Sequence, residues 1–241
     1  MPESQSISFY NDSARAERYH QRQGFVPERT AGMHAVMLDL LTTLTTPQST
    51  LLELGAGTGI FTEKLLKADH FREIYVTDGA PAMLNIAQQT LEADPARLHF
   101  LPLDFTTDWP RLLAGIRFEA ITSSLALHHA ADKQGLFQQI FSMLAPQGVF
   151  ILADHMAGAS AFIEHLFNRE RALVRLGKEN KDNQEQLQEM MNGAEERSRK
   201  EGNRCEPVAQ YQYYLAMSGF EDVECLWRDY WLAVFLARKS A

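Results

Sequence analysis

The 241-residue chain is predicted to fold as an α/β protein around a doubly wound, mostly parallel sheet. Three observations predict it. Short apolar runs alternate with helical stretches from Thr50 to Ala153, the pattern of a sheet covered by helices on both faces. Three glycines follow the first run and lead directly into a helix. Acidic residues stand at or just beyond the ends of the first three runs, at Glu53, Asp78 and Asp104.

The elements follow in order. Asp12 and Ser13 are good N-caps for a polar N-terminal helix. After Arg29, residues Met33, Val36, Met37, Leu40, Leu41 and Leu44 recur at three-four spacing and mark one face of a stronger helix, which Thr45, Thr46 and Pro47 end. Strands are expected at Thr50–Leu54, Glu73–Thr77, Leu98–Leu101, Phe118–Ser123 and Val149–Ala153. Helices are expected at Gly59–Ala68, at Pro81–Leu91 and at Lys133–Leu144, the last closed by a turn over Ala145–Gly148. Residues 160–204 read as a charged, helical insertion with no strand signal. Its two apolar stripes run through Phe162, Ile163, Leu166, Phe167, Leu173 and Val174, and through Leu187, Met190, Met191 and Ala194. Val223–Leu226 and Tyr230–Ala237 then form an antiparallel hairpin at the sheet edge, with Arg228 and Asp229 as its turn. The division expected is a helical lid (1–47), an α/β core (48–155), a helical cap (156–206) and a C-terminal helix and hairpin that complete the core (207–241).

Composition narrows the function. With 45% hydrophobic and 22% charged residues, the chain is an ordinary globular protein, and its net charge of −8 argues against broad contact with a nucleic-acid backbone. The insertion carries nine acidic residues and nine Lys or Arg, the balance of a solvated face. Cys205 and Cys225 make no CxxC pair and lie away from any histidine cluster of metal spacing, so no metal site is expected and a reducing compartment fits. The polar first residues and the lack of a long apolar run make a cytoplasmic location, without a membrane, the expectation.

The most informative segment is Leu51-Leu52-Glu53-Leu54-Gly55-Ala56-Gly57-Thr58-Gly59. Glycine tolerates positive φ and lets a ligand approach the backbone, and the helix beyond offers free N–H groups. The spacing is GxGxG, and Ile60 occupies the position where the dinucleotide fingerprint GxGxxG needs its last glycine. That weakens the nicotinamide-dehydrogenase alternative, which shares the fold and the ribose-binding acid. Nineteen residues beyond Gly59, Asp78 closes the second strand, placed to accept hydrogen bonds from both ribose hydroxyls.

With these motifs the chain resembles a class I S-adenosylmethionine-dependent methyltransferase, a family with a Rossmann-like fold. The resemblance covers roughly residues 48–155 and the closing hairpin. Glu53–Gly59 matches the family's first motif, and Asp78 its ribose-binding acid, followed by Ala80-Pro81-Ala82-Met83-Leu84. Asp104-Phe105 matches the segment that meets the adenine. Leu125-Ala126-Leu127-His128-His129 matches the loop beside the methionine. Leu144-Ala145-Pro146-Gln147-Gly148 matches a turn in which Gln147 replaces the usual glycine. The resemblance implies that Glu53, with Gly55, Ala56, Gly57 and Gly59, holds the methionine end, and that Asp78 beside Gly79 holds the ribose. It implies further that Met83 packs on the adenine, Asp104 and Phe105 meet its edge, and the backbone at Ser124 and Leu125 touches the methionine. Tyr10 and Tyr19 would close over the cofactor from the lid, and S-adenosylhomocysteine would be the product.

Methyl transfer is an in-line displacement that mainly needs alignment and exclusion of water, with a base where the acceptor is a hydroxyl. His128 and His155 are the expected candidates for that base, with His129 nearby. The cap is expected to select a small-molecule acceptor. Its arrangement, with the terminal hairpin, is also loosely similar to carboxy-S-adenosylmethionine synthases, which use the cofactor without methylating an acceptor and pair through their cap helices. That keeps open a homodimer and an alternative chemistry, as well as an S-adenosylmethionine-binding protein without turnover.

Overall fold

The computed structural model describes residues 5–21, 27–91, 97–177 and 183–241. Its strands are β1 (Thr50–Leu54), β2 (Glu73–Asp78), β3 (Leu98–Pro102), β4 (Phe118–Ser124), β5 (Leu144–His155), β6 (Glu221–Asp229) and β7 (Leu232–Arg238). They form one sheet in the order β3-β2-β1-β4-β5-β7-β6. The first five run parallel, and β7 lies antiparallel between β5 and β6. Strand order reverses between β1 and β4, and the C-terminal ends of strands flanking such a reversal open a crevice where ligands bind.

Every residue of β1 is buried, as a strand covered on both faces requires. Its alternating side chains enter different cores. Leu52 and Leu54 join Ile121, Phe150, Phe137 and Tyr211 on one face. Leu51 joins Ile74, Val76, Ile151 and Phe61 on the other. The helices covering the sheet between strands are α4 (Ile60–Ala68), α5 (Pro81–Thr90) and α6 (Lys133–Met143). Before the sheet come α1 (Gln5–Tyr10), α2 (Ser13–Gln21) and α3 (Pro27–Leu44), whose Met33, Met37 and Leu41 are wholly buried. The six-residue α1 is too short to show a period in sequence and was not expected.

The insertion forms α7 (Ala161–Leu176), α8 (Gln184–Asn192) and α9 (Ala194–Lys200), and α10 (Val208–Met217) returns the chain to the sheet. Phe167 and Leu187 anchor the two expected stripes, whereas Phe162 is exposed. No helix among the described residues is long and apolar enough to cross a membrane.

Two boundaries differ from the sequence reading. The segment 145–148, expected as a turn, belongs to a long β5 that starts at Leu144, with Gln147 at positive φ and a register shift against β4. The hairpin turns at Tyr230-Trp231, so Arg228 and Asp229 are the last residues of β6. Tyr230 takes φ 50°, the left-handed conformation that two-residue hairpin loops use. Polar residues mimicked a turn there because β6 is an edge strand whose exposure alternates. Asp229 also binds Arg29 at 2.6 Å, and Arg29 in turn reaches Glu170.

Candidate active site

A cavity enclosing about 940 Å³, including its open mouth, lies over the C-terminal ends of β1, β2 and β4. Each element contributes to it. Glu53 comes from β1, Gly55 to Gly57 from the turn, and Asp78, Gly79 and Met83 from the end of β2 and from α5. Asp104 and Phe105 follow β3, and Ser124 and Leu125 close β4. Tyr10 from α1 and Tyr19 from α2 cover it, with their rings 6.3 Å apart edge to face. The lid is tied down at both sides, since Asn11 accepts from the Ala82 amide and the Gln5 amide group donates to the Arg199 carbonyl of the cap.

The glycine turn has two distinct reasons for glycine. Gly55, at φ 69°, would place a Cβ 2.3 Å from the Ala126 Cβ, so the β1 and β4 loops approach too closely for any side chain. Gly57, at φ 58°, would meet nothing within 4 Å and faces open space. Gly59, the third glycine of the turn, packs closely against its neighbours. It is outside the cavity lining, and a Cβ there would lie 2.7 Å from Leu91 and 3.2 Å from Ala87 of α5.

Asp78 is held by the backbone. Its Oδ2 accepts from the Gly57 amide at 2.8 Å and its Oδ1 from the Ala80 amide at 2.7 Å, so the carboxylate braces the turn from the neighbouring strand. Burial raises its pKa, and these two bonds offset part of the rise. Glu53 is 1% exposed, and Thr62 donates to its Oε2 at 2.6 Å. Burial pushes its pKa up to about 7, against the Thr62 bond, with Asp78 adding a smaller push. Asp104 accepts from the Thr106 amide and hydroxyl at 2.8 and 2.6 Å.

The sign of the Glu53 effect is testable. A carboxyl with a raised folded-state pKa stabilises fully below its unfolded pKa of about 4.3, and that contribution is lost as pH rises through about 7. Glu53→Gln is therefore expected to match the parent near pH 4 and to exceed it at pH 8, by on the order of 3 kcal/mol. Thermal unfolding at both pH values measures this; equal differences at the two would contradict it.

The histidines are arranged differently from expectation. His129 lines the cavity, whereas His128 and His155 lie outside that lining. The His129 ring lies 4.1 Å from that of His128, tilted by 45°, and His128 stacks 4.8 Å from His155. His128 Nδ1 donates to Asp154 Oδ1 at 2.5 Å, and Asp154 also accepts from the His155 amide and, at 3.4 Å, from the Tyr211 hydroxyl. Burial is the main cause of each shift here. It lowers His128 and His129 to about 3 and raises Asp154 to about 6, so neutral imidazoles face a carboxylate at neutral pH.

Sequence reasoning passed over Asp154, though it stands near the end of β5 much as Asp78 stands at the end of β2. It gave no role to Thr30 or His34, yet both line the cavity from α3. Nothing in a helix that reads as core packing singles them out. Among the described residues, no group of three His, Cys, Asp or Glu is placed to hold a metal ion.

Residues 52–150 match the family model described as a methyltransferase domain. The matched segment runs from within β1 to within β5, takes in the glycine turn and Asp78, and covers less than half of the chain. Among curated relatives, malonyl-[acyl-carrier protein] O-methyltransferase 1 of Ilyobacter polytropus is 32% identical over 97 residues, covering 40% of this chain and 34% of that protein. An uncharacterised methyltransferase of Oceanobacillus iheyensis is 32% identical over 111 residues, 45% of this chain and 48% of that one. These matches thus span about a third and about half of the relatives' lengths. Among solved structures, an O-methyltransferase family protein from Burkholderia thailandensis shares the fold at a TM-score of 0.69 and 13% identity, over 100% of this chain and 64% of that one.

Proposed function

We propose that the chain binds S-adenosylmethionine in this cavity and transfers its methyl group to a small-molecule acceptor. The observation that carries the reading is the pairing of two differently prepared carboxyls in one cavity. Asp78 has both oxygens fixed by backbone amides, and the buried Glu53 carboxyl accepts from the Thr62 hydroxyl. A buried carboxyl whose pKa is held near 7 by burial gains a partner when an ammonium arrives. The rigid Asp78 suits a pair of ribose hydroxyls.

The fit extends to the rest of the cavity. Gly57 leaves open the space that a side chain would fill, and Met83, 4% exposed, presents an apolar wall for a base. When bound, S-adenosylmethionine supplies a methyl group activated by the sulfonium charge. The protein's part is then alignment and exclusion of water, for which Tyr10 and Tyr19 cover the site. His129, which lines the cavity, is the residue we assign to take a proton from a hydroxyl acceptor. His128, fixed by Asp154, and His155 support it from behind. Two of the relatives are named malonyl-[acyl-carrier protein] O-methyltransferases, in keeping with methyl transfer to an oxygen.

Calorimetric titration with S-adenosylmethionine and S-adenosylhomocysteine tests the reading. Asp78→Ala is expected to weaken both by about 100-fold, because it removes the ribose contact and leaves the Gly57 and Ala80 amides unpartnered. Failure of the parent protein to bind either ligand would overturn the proposal.

A further inference from the structure

The amino-acid end of the proposed ligand carries an ammonium and a carboxylate, and Glu53 answers only the first. No Arg or Lys is among the described residues that line the cavity. The polar groups available near the end of β4 are Ser124 and, from α3, Thr30 and His34. Thr30 and His34 stand one turn apart, so both point the same way from the helix. Both are buried, at 7% and 5% exposure, and both line the cavity. The helix is fixed in place by Met33, Met37 and Leu41, which are fully buried on its neighbouring face.

His34 is also fixed as a side chain. Its Nε2 lies 2.9 Å from Ser124 Oγ, and its ring packs 4.9 Å from that of Phe61 at the start of α4. Burial, with a smaller push from Lys64, lowers its pKa to about 4, so the ring enters neutral with one N–H donor and one acceptor. Lys64 adds positive potential at the same place, and the N-terminus of α4, whose Ile60 and Phe61 line the cavity, favours negative charge there. A buried imidazole and two hydroxyls in a positive field make a poor place for an ammonium and a good one for a carboxylate.

We propose that Thr30, His34 and Ser124 form a carboxylate site that takes the α-carboxylate of S-adenosylmethionine and of its demethylated product. The assignment rests on the cofactor reading above and extends it to α3, which lies outside the segment that matches the methyltransferase family. It divides the amino-acid end between two elements, with the ammonium on β1 and the carboxylate on the N-terminal helix. Binding of the cofactor then depends on α3 being docked.

The test compares S-adenosylhomocysteine with 5′-methylthioadenosine, which keeps the nucleoside and thioether and lacks the amino-acid group. Calorimetry on the full chain is run with His34→Leu, His34→Gln and Thr30→Val. His34→Leu is expected to weaken S-adenosylhomocysteine by 10-fold or more, from loss of a hydrogen bond to a charged group. His34→Gln, which keeps a donor, should recover most of that loss, and Thr30→Val should cost a smaller factor. The affinity for 5′-methylthioadenosine should stay within twofold in all three. Equal losses for both ligands would mean that His34 only shapes the cavity, and would overturn the assignment. So would tight S-adenosylhomocysteine binding that His34→Leu leaves unchanged, while the cofactor reading itself would stand. A parent protein that binds neither ligand overturns both.

Discussion

Asp154→Ala is expected to lower the thermal unfolding midpoint by about 10 °C. Asp154 is completely buried and serves three donors at once: the imidazole of His128, the amide of His155 and the hydroxyl of Tyr211. Alanine would leave all three without their acceptor in a closed interior. Leaving a buried donor without its acceptor costs about 1–3 kcal/mol, and a domain of this size loses about 2–4 °C per kcal/mol. Asp154→Asn keeps an acceptor oxygen for His128 and should lose less than half as much. Calorimetric scans of the three proteins measure it. A midpoint unchanged in the alanine variant would show that the histidine stack is held by packing alone.

Gly55→Val should have the larger effect on the site, abolishing S-adenosylhomocysteine binding and lowering stability together. The added Cβ would start 2.3 Å from Ala126 and 3.5 Å from the Phe105 ring, at a φ that a β-branched residue strongly resists. Ala126 sits on the β4 loop, so relief requires moving apart the two loops that form the cavity floor. Gly57→Ala gives the contrast: its side chain meets no protein atom, so the cost to folding is limited to backbone strain of about 1–2 kcal/mol. Its effect should appear mainly as weaker ligand binding, because the methyl group projects into open space. If Gly57→Ala destabilised the fold as much as Gly55→Val, the distinction between the two glycines would fail.

The contrast also shows which parts of the site were legible in the sequence. The strand and helix order could be read because a sheet buried on both faces writes continuous apolar runs, as in Thr50–Leu54. The turn and Asp78 could be read because positive φ and a strand-end carboxylate restrict residue type strongly. Gly59 shows the limit of that signal. Glycine signals close approach without saying of what, and here the neighbours are Leu91 and Ala87. His34 was illegible as a cavity-facing group, because its surroundings are made by β4 and α4, which lie far along the chain. His128 and His129 are adjacent in sequence, and only the turn after β4 decides which of them reaches the cavity. The hairpin turn was misplaced because edge-strand polarity and turn polarity look alike in sequence, as Arg228 and Asp229 show.

That edge bears on how copies of the chain meet. The outer side of β6 is one of two places where the sheet ends, and an exposed row of backbone donors and acceptors invites a neighbour's strand. Here the row is interrupted. The pairing of β6 with β7 shifts register twice, between Glu221 and Glu224 and again between Cys225 and Trp227. Asp222 stands at positive φ and is paired with Arg238, and Glu221 and Glu224 bring further negative charge to the same strand. A second copy arriving strand to strand would meet a kinked ladder and like charges, so continuous sheet growth from molecule to molecule is blocked at this margin.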